Sequence, residues 1–176
     1  MKQLIYIICG FCAISGFGQS QGIANATFNL FEVAMLDLEP NNSTVTLSLS
    51  SAIEAGEQAA VVMTNNDKWI NFSSAVAGNS RGISVKIDGQ VPAGIYLKLN
   101  TSSYMGIGKG ELGLPAGILT LNNSPQTIIS GIKGAYTGDG INNGYKLTYS
   151  LEIYDYKLLD FNQSATLSIT LTLSDL

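Results

Sequence analysis

The 176-residue chain has no histidine, only two cysteines and few charged residues, which make up 12% of the sequence. Both cysteines, Cys9 and Cys12, lie within the first eighteen residues. The rest of the chain therefore has no Ser-His or Cys-His nucleophile, no imidazole general base and no zinc or copper site of ordinary composition. These absences argue against an enzyme, and we expect neither a metal nor another cofactor.

Basic residues are also scarce, since nine Lys and Arg stand against thirteen Asp and Glu, which gives a net charge of −4. A chain of this sign repels nucleic acid and anionic membrane surfaces, so neither is expected as a partner. Hydrophobic residues make up 45% of the sequence, which excludes the composition of a disordered protein. A single domain with its own core is expected at this length.

The first eighteen residues have the pattern of a secretory signal peptide. Lys2 supplies a positive end, residues 4–17 an apolar stretch, and residues 16–18 a Gly-Phe-Gly cleavage site. The apolar stretch is shorter than the ~20 residues that a membrane-spanning helix needs. We therefore predict that residues 1–18 are removed and that residues 19–176 have no membrane span. The protein is predicted to be secreted or held at the cell surface, with the periplasm as an alternative.

Apolar and polar residues alternate with a period of two through most of residues 19–176. The alternation is clearest at 45–49, 83–87, 95–99, 145–153 and 165–173, with weaker strand candidates at 59–64, 68–74, 117–121 and 127–132. Such strands have one core face and one wet face, as in antiparallel sheets. No helical pattern exceeds a turn or two. The sequence predicts an all-β fold, a single antiparallel β-sandwich of Ig-like or Greek-key type with about 8–10 strands.

Strand edges are the candidate interaction surface. Residues 27–38 are apolar but change the phase of their alternation twice, which indicates bulges or a crossing between sheets. This segment and the alternating C-terminal segment can pair with each other or with a neighbouring molecule. The candidate assembly residues are Phe28, Leu30, Phe31, Val33 and Met35.

A signal peptide, Cys-free strands rich in Thr, Ser and Gly, and the strand pattern of residues 165–175 occur together in this chain. In these respects it resembles small secreted bacterial β-sandwich subunits of the fimbrial or surface-adhesin type. The resemblance implies a non-enzymatic structural or adhesive subunit whose partners are other protein subunits or copies of itself. It carries over no catalytic or binding residue.

Carbohydrate binding through exposed aromatic rings is the alternative function, with glycans as the partner. The candidate ligand contacts are Trp69, Tyr96, Tyr104 and Tyr136, and Tyr154 and Tyr156 are also available. Tyr96 and Tyr154 fall on the polar faces of their strands. Trp69 lies beside Ile70 and Phe72 and fits a core position equally well, because aromatic residues are common in sheets for packing reasons.

A carboxylate-dependent hydrolase is a third and less favoured interpretation. Such an enzyme needs two carboxyl groups that face each other across a sugar. The candidate pairs are Glu54 with Glu57 and Asp155 with Asp160. Sequence neighbours on a turn are more often solvated surface groups than catalytic pairs.

Two glycine-containing loops resemble ligand-binding motifs. Residues 139–144 suggest a calcium loop, but Ile141 stands where an oxygen ligand is needed, and a tight hairpin with left-handed residues is the preferred interpretation. Residues 108–113 match G-x-G-x-x-G, which in a dinucleotide fold opens a helix. Pro115 follows closely, so this loop is predicted to be a glycine-rich surface loop or a bulged edge strand.

Overall fold

The structure, a computed structural model, describes residues 26–41, 43–49, 52, 54–58, 64–160 and 164–176. The chain divides into two units, residues 1–30 and 31–176. In the first unit the described residues 26–30 are exposed and have no regular secondary structure. The predicted signal peptide, residues 1–18, lies outside the described residues, as do residues 59–63 of the strand candidate at 59–64.

In the described part of residues 31–176, the regular structure consists of eleven strands and one short 3-10 helix, Tyr156–Leu158. The strands are β1 (Val33–Glu39), β2 (Thr64–Ala75), β3 (Arg81–Asp88), β4 (Ile95–Met105), β5 (Lys109–Gly110), β6 (Leu114–Pro115), β7 (Ile118–Thr120), β8 (Gln126–Ile132), β9 (Ala135–Tyr136), β10 (Gly144–Ile153) and β11 (Ser168–Asp175). Among these residues no helix has the length and apolar character needed to cross a membrane.

The strands form two antiparallel sheets. The larger sheet has the order β5-β9-β2-β10-β4-β7, and β1 also pairs with β2. The register places β1 along one side of β2, and β9 and β10 one after the other along its opposite side. The smaller sheet has the order β11-β3-β8-β6. The predicted all-β sandwich is confirmed.

The core lies between the two sheets, because the inward residues of both belong to one hydrophobic cluster. The larger sheet contributes Ile70, Phe72, Leu97, Leu99, Tyr145, Leu147 and Tyr149, and the smaller sheet contributes Ile83, Val85, Ile87, Ile128, Ile129 and Ile132. Burying an aliphatic side chain of this size stabilises the fold by about 1.5–3 kcal/mol. Burial also raises the pKa of Tyr145 and of Tyr149 to about 12, because the phenolate loses its hydration.

The N-terminal strand differs from its prediction. β1 pairs with β2 without a register shift from Val33 to Glu39, so the predicted bulge is absent from this part of the segment. Leu36 and Leu38 pack against the core, whereas Met35 is 67% exposed on the opposite face. The phase change in the sequence therefore reflects an apolar residue on the outer face. Residues 43–48 form no strand, although their burial alternates as predicted.

The predicted tight hairpin at residues 139–144 is wrong. β9 and β10 do not pair with each other; both run antiparallel to β2, so β10 continues in the direction of β9. Residues 137–143 loop out between them. The left-handed conformations are present, with φ of 66° at Asn142 and 83° at Gly140. The buried Asn71 side chain fixes this loop, because it donates to Asn143 O at 2.6 Å and accepts from Gly140 N at 2.8 Å.

Candidate assembly edge

One side of the sandwich is bordered by two long edge strands. Among the described strands β1 pairs only with β2, and β11 pairs only with β3. The other borders are formed by β5, β6 and β7, which are two or three residues long. Very short edge strands offer little backbone for another chain, whereas long ones present a row of unpaired N–H and C=O groups. We call β1 and β11 together the open edge.

β11 is the longer strand of the open edge and carries less charge than β1. Its eight residues pair with β3 from Ser168–Asp88 to Asp175–Arg81 without a bulge. It alternates Ile and Leu with Ser and Thr, and its only charged residue is Asp175 at the end. Natural edge strands are commonly protected by Lys, Pro, a bulge or an inward charge. None of these devices is present over residues 168–174.

A concavity of about 350 Å³ lies between the two strands of the open edge. Its lining consists of Leu36, Asp37, Leu38, Asn41, Ile169, Thr170 and Leu171. The apolar members of this set are partly buried and pack against the core. An extended segment that added to the open edge would therefore gain apolar contacts as well as backbone hydrogen bonds.

Arg81 joins the beginning of β1 to the end of β11. Its side chain is 5% exposed, and its Nε donates to Asp175 Oδ1 at 2.8 Å. Its Nη2 forms an ion pair with Glu32, and its Nη1 donates to the Val33 carbonyl. The planar guanidinium suits several acceptors at once. The two strands of the open edge are therefore held in a fixed relation at this end.

The predicted assembly residues fall partly on the open edge. Val33 and Met35 lie in β1. Phe28, Leu30 and Phe31 precede the strand without regular structure, and their side chains are 83%, 96% and 82% exposed. The N-terminal and C-terminal strands do not pair with each other, because each belongs to a different sheet.

The predicted ligand-contacting aromatics are not gathered into one site. Tyr96 and Tyr136 are 40% and 47% exposed, as a binding ring should be. Trp69 is buried, with Lys146 Nζ 5.8 Å from its ring centroid. Tyr104 is half-buried, and its hydroxyl donates to Thr137 O at 3.0 Å. Trp69 and Tyr104 therefore do not present open rings, and Tyr104 supports a loop.

Tyr136 lines a second concavity, of about 450 Å³, on the outer face of β1, β2 and β9. Asp37 and Asp139 line this concavity, and carboxylate oxygens of Asp37, Asp139 and the neighbouring Glu39 lie within 4.8 Å of one another. Such oxygens suit a hard cation. The sequence pointed only to residues 139–144, because the pairing of β1 with β2 is needed to bring the other two carboxylates to that loop.

Three of the carboxylates proposed for hydrolysis lie in a turn or at the cap of the short 3-10 helix. Glu54 and Glu57 are exposed in a turn, in which Glu57 N donates to Glu54 O at 3.3 Å. Asp155 Oδ1 accepts from Lys157 N at 2.9 Å and so caps the 3-10 helix. Of the predicted G-x-G-x-x-G loop, Lys109 and Gly110 form the edge strand β5.

Comparison of the chain with protein-family models, curated proteins and solved structures found no match.

Proposed function

We propose that the protein is a non-enzymatic structural or adhesive surface subunit that associates with other subunits, or with copies of itself, through the open edge. The observation that carries the proposal is the regularity of β11. It is eight residues long, continuously paired on one side, and uncharged before Asp175. A strand of this kind favours the addition of a further strand.

The open edge offers both backbone hydrogen bonds and apolar contacts to an added strand. A backbone hydrogen bond contributes about 0.5–1.5 kcal/mol net, and strand addition forms several in a row. Side chains from the added strand can also fill the concavity beside Leu36, Leu38 and Leu171. Since the concavity is mainly apolar, an added segment of alternating apolar and polar residues fits it best.

Export is the second part of the proposal. It is supported by the charge and hydrophobicity pattern of residues 1–18. Removal of residues 1–18 would take both cysteines with it and leave a chain without cysteine or histidine, which supports a non-catalytic role. Secretion or attachment at the cell surface is the proposed location.

Light scattering after size exclusion, over a wide range of protein concentration, tests association through the open edge. Thr172→Lys places a charge on an exposed residue of β11. Asn100→Lys is the matched control, because Asn100 is also exposed but lies in β4, which has neighbours on both sides.

We expect the molar mass of the wild-type protein and of Asn100→Lys to grow with concentration, while Thr172→Lys stays monomeric. If a different subunit rather than a second copy adds to the edge, the wild-type protein stays monomeric when it is alone. That subunit should then bind the wild type and Asn100→Lys but not Thr172→Lys. Equal association of all three proteins would contradict the proposal.

A further inference from the structure

A pair of exposed tyrosines stacks on the outer face of the larger sheet. Tyr96 lies in β4 and Tyr154 directly follows β10, and their ring centroids are 4.2 Å apart with planes inclined by 21°. The two side chains are 40% and 48% exposed. Two large rings that remain open to water while packing on each other form an apolar patch outside the core.

A charged pair lies on the same face beside the rings. Glu152 is directly opposite Tyr96 in the register of β4 and β10, and its carboxylate forms an ion pair with Lys98. Lys98 and Tyr96 alternate with the buried Leu97 and so share the outer face. The patch therefore combines flat apolar surface with hydrogen-bond acceptors and donors within one cross-strand neighbourhood.

The backbone around the rings is held in place before any ligand arrives. Gly94 O accepts from Tyr154 N at 2.9 Å and from Asp155 N at 3.3 Å, which ties the chain before Tyr96 to the chain after β10. Gly94 has a φ of 82°, and a Cβ there would lie 2.6 Å from Asp155 O. Only glycine fits this close approach. The pairing of β4 with β10 and the backbone contact at Gly94 therefore fix the positions of both rings.

We propose that Tyr96 and Tyr154, with Lys98 and Glu152, form a binding site for a neutral pyranose sugar. The C–H face of a pyranose packs on a flat aromatic ring, and its hydroxyl groups can donate to a carboxylate and accept from an ammonium group. A neutral sugar is favoured over an acidic one because the chain carries a net charge of −4. The site lies away from the open edge and does not depend on assembly.

Affinity electrophoresis of the full chain tests the site, with hydroxyethyl cellulose, laminarin, α-mannan and galactomannan as neutral probes and polygalacturonate as an acidic one. We expect at least one neutral probe to retard the wild-type protein. Tyr96→Ala and Tyr154→Ala should each weaken this binding by about tenfold or more, whereas Tyr96→Phe should retain it. Glu152→Gln should weaken it less, because one charged acceptor is replaced by a neutral one.

Ile118→Ala is the control, since Ile118 is an exposed apolar residue of β7, in the same sheet, and was never a candidate sugar contact. It should bind the probe as the wild type does. Tyr96→Leu guards against misfolding, because it keeps apolar bulk but removes the flat ring, and it should lose binding while its urea midpoint stays close to that of the wild type. The proposal is overturned by a lack of retardation with every neutral probe, by retardation with polygalacturonate alone, or by unchanged binding in both alanine variants. Assembly through the open edge is tested independently of sugar binding, by the light-scattering experiment described above.

Discussion

The Nε atom of Arg81 lies 2.8 Å from Oδ1 of Asp175, so that a nearly buried guanidinium in β3 holds the end of the neighbouring edge strand. The same side chain reaches Glu32 and the Val33 carbonyl. Removing it would break the contacts that join Glu32, Val33 and Asp175 through one buried side chain.

Arg81→Ala is expected to lower the free energy of unfolding by about 2–3 kcal/mol, because several charge-assisted hydrogen bonds are lost together. Arg81→Lys should recover only part of the loss, since an ammonium group lacks the planar fork. Lys133→Ala is the control: its ion pair with Glu111 is exposed on both sides, so it should change stability by less than about 0.5 kcal/mol. Urea denaturation measures all three, and equal effects of Arg81→Ala and Lys133→Ala would refute a role for Arg81 as a junction.

Two buried threonines should respond in opposite ways to replacement by valine. Thr101 Oγ1 has no hydrogen-bond partner among the described residues, so Thr101→Val should be neutral or stabilising. Thr137 Oγ1 accepts from Phe72 N at 2.9 Å and donates to Gly138 O at 2.8 Å, so Thr137→Val should destabilise by about 1–3 kcal/mol. Thermal unfolding distinguishes the variants, and a larger loss at Thr101 would contradict the hydrogen-bond assignment.

Gly144→Ala should prevent stable folding. Gly144 has a φ of 89°, and a Cβ there would lie 1.9 Å from Ile70 O, in the strand that pairs with β10. Gly134→Ala is the control, because nothing lies within 4 Å of its Cβ position. That change should be neutral or slightly stabilising, since it restricts the unfolded chain. A soluble, cooperative Gly144→Ala protein would show that β10 can shift away from β2.

Stability should fall between pH 10 and pH 12. The pKa of Tyr145 and of Tyr149 is raised to about 12 by burial, above the value of 10 for a free tyrosine. The folded state therefore keeps protons that the unfolded state releases in this window. Each residue contributes stability that is complete below pH 10 and is lost as the pH rises, on the order of 2–3 kcal/mol.

Tyr149→Phe should make this decline shallower, because one of the two titrating groups is gone. Urea midpoints measured from pH 8 to pH 12 provide the comparison with the wild type. A decline that is equally steep in Tyr149→Phe would exclude that phenol as a source of the pH dependence.

The long core strands could be predicted because their cause is local. Apolar and polar residues alternate at 83–87, 95–99 and 145–153, and this pattern can be recognised from adjacent residues alone. A sheet with one buried face requires such alternation. The two-residue strands β5, β6 and β9 carry no such signal. They are defined by partners that are distant in the sequence, which periodicity does not reveal.

The same difference explains the errors at the candidate sites. Asn142 and Gly140 have the left-handed conformations expected of turn residues. Their loop, however, connects two strands that both pair with β2 and not with each other. Trp69 is buried, whereas the sequence around it was compatible with either a core or a surface position. The stack of Tyr96 on Tyr154 depends on the register of β4 and β10, which the sequence did not specify.

The junction at Arg81 also bears on how the molecule responds to tension. β1 begins and β11 ends at this one side chain, so a pull across the two ends of the strand-bearing unit acts first on the contacts of Arg81. β1 would then peel from β2, and β11 from β3, one residue pair at a time from that end. Sequential peeling meets little resistance compared with shearing a whole strand at once. A neighbouring strand added along β11 would therefore strengthen the molecule mechanically as well as enlarge it.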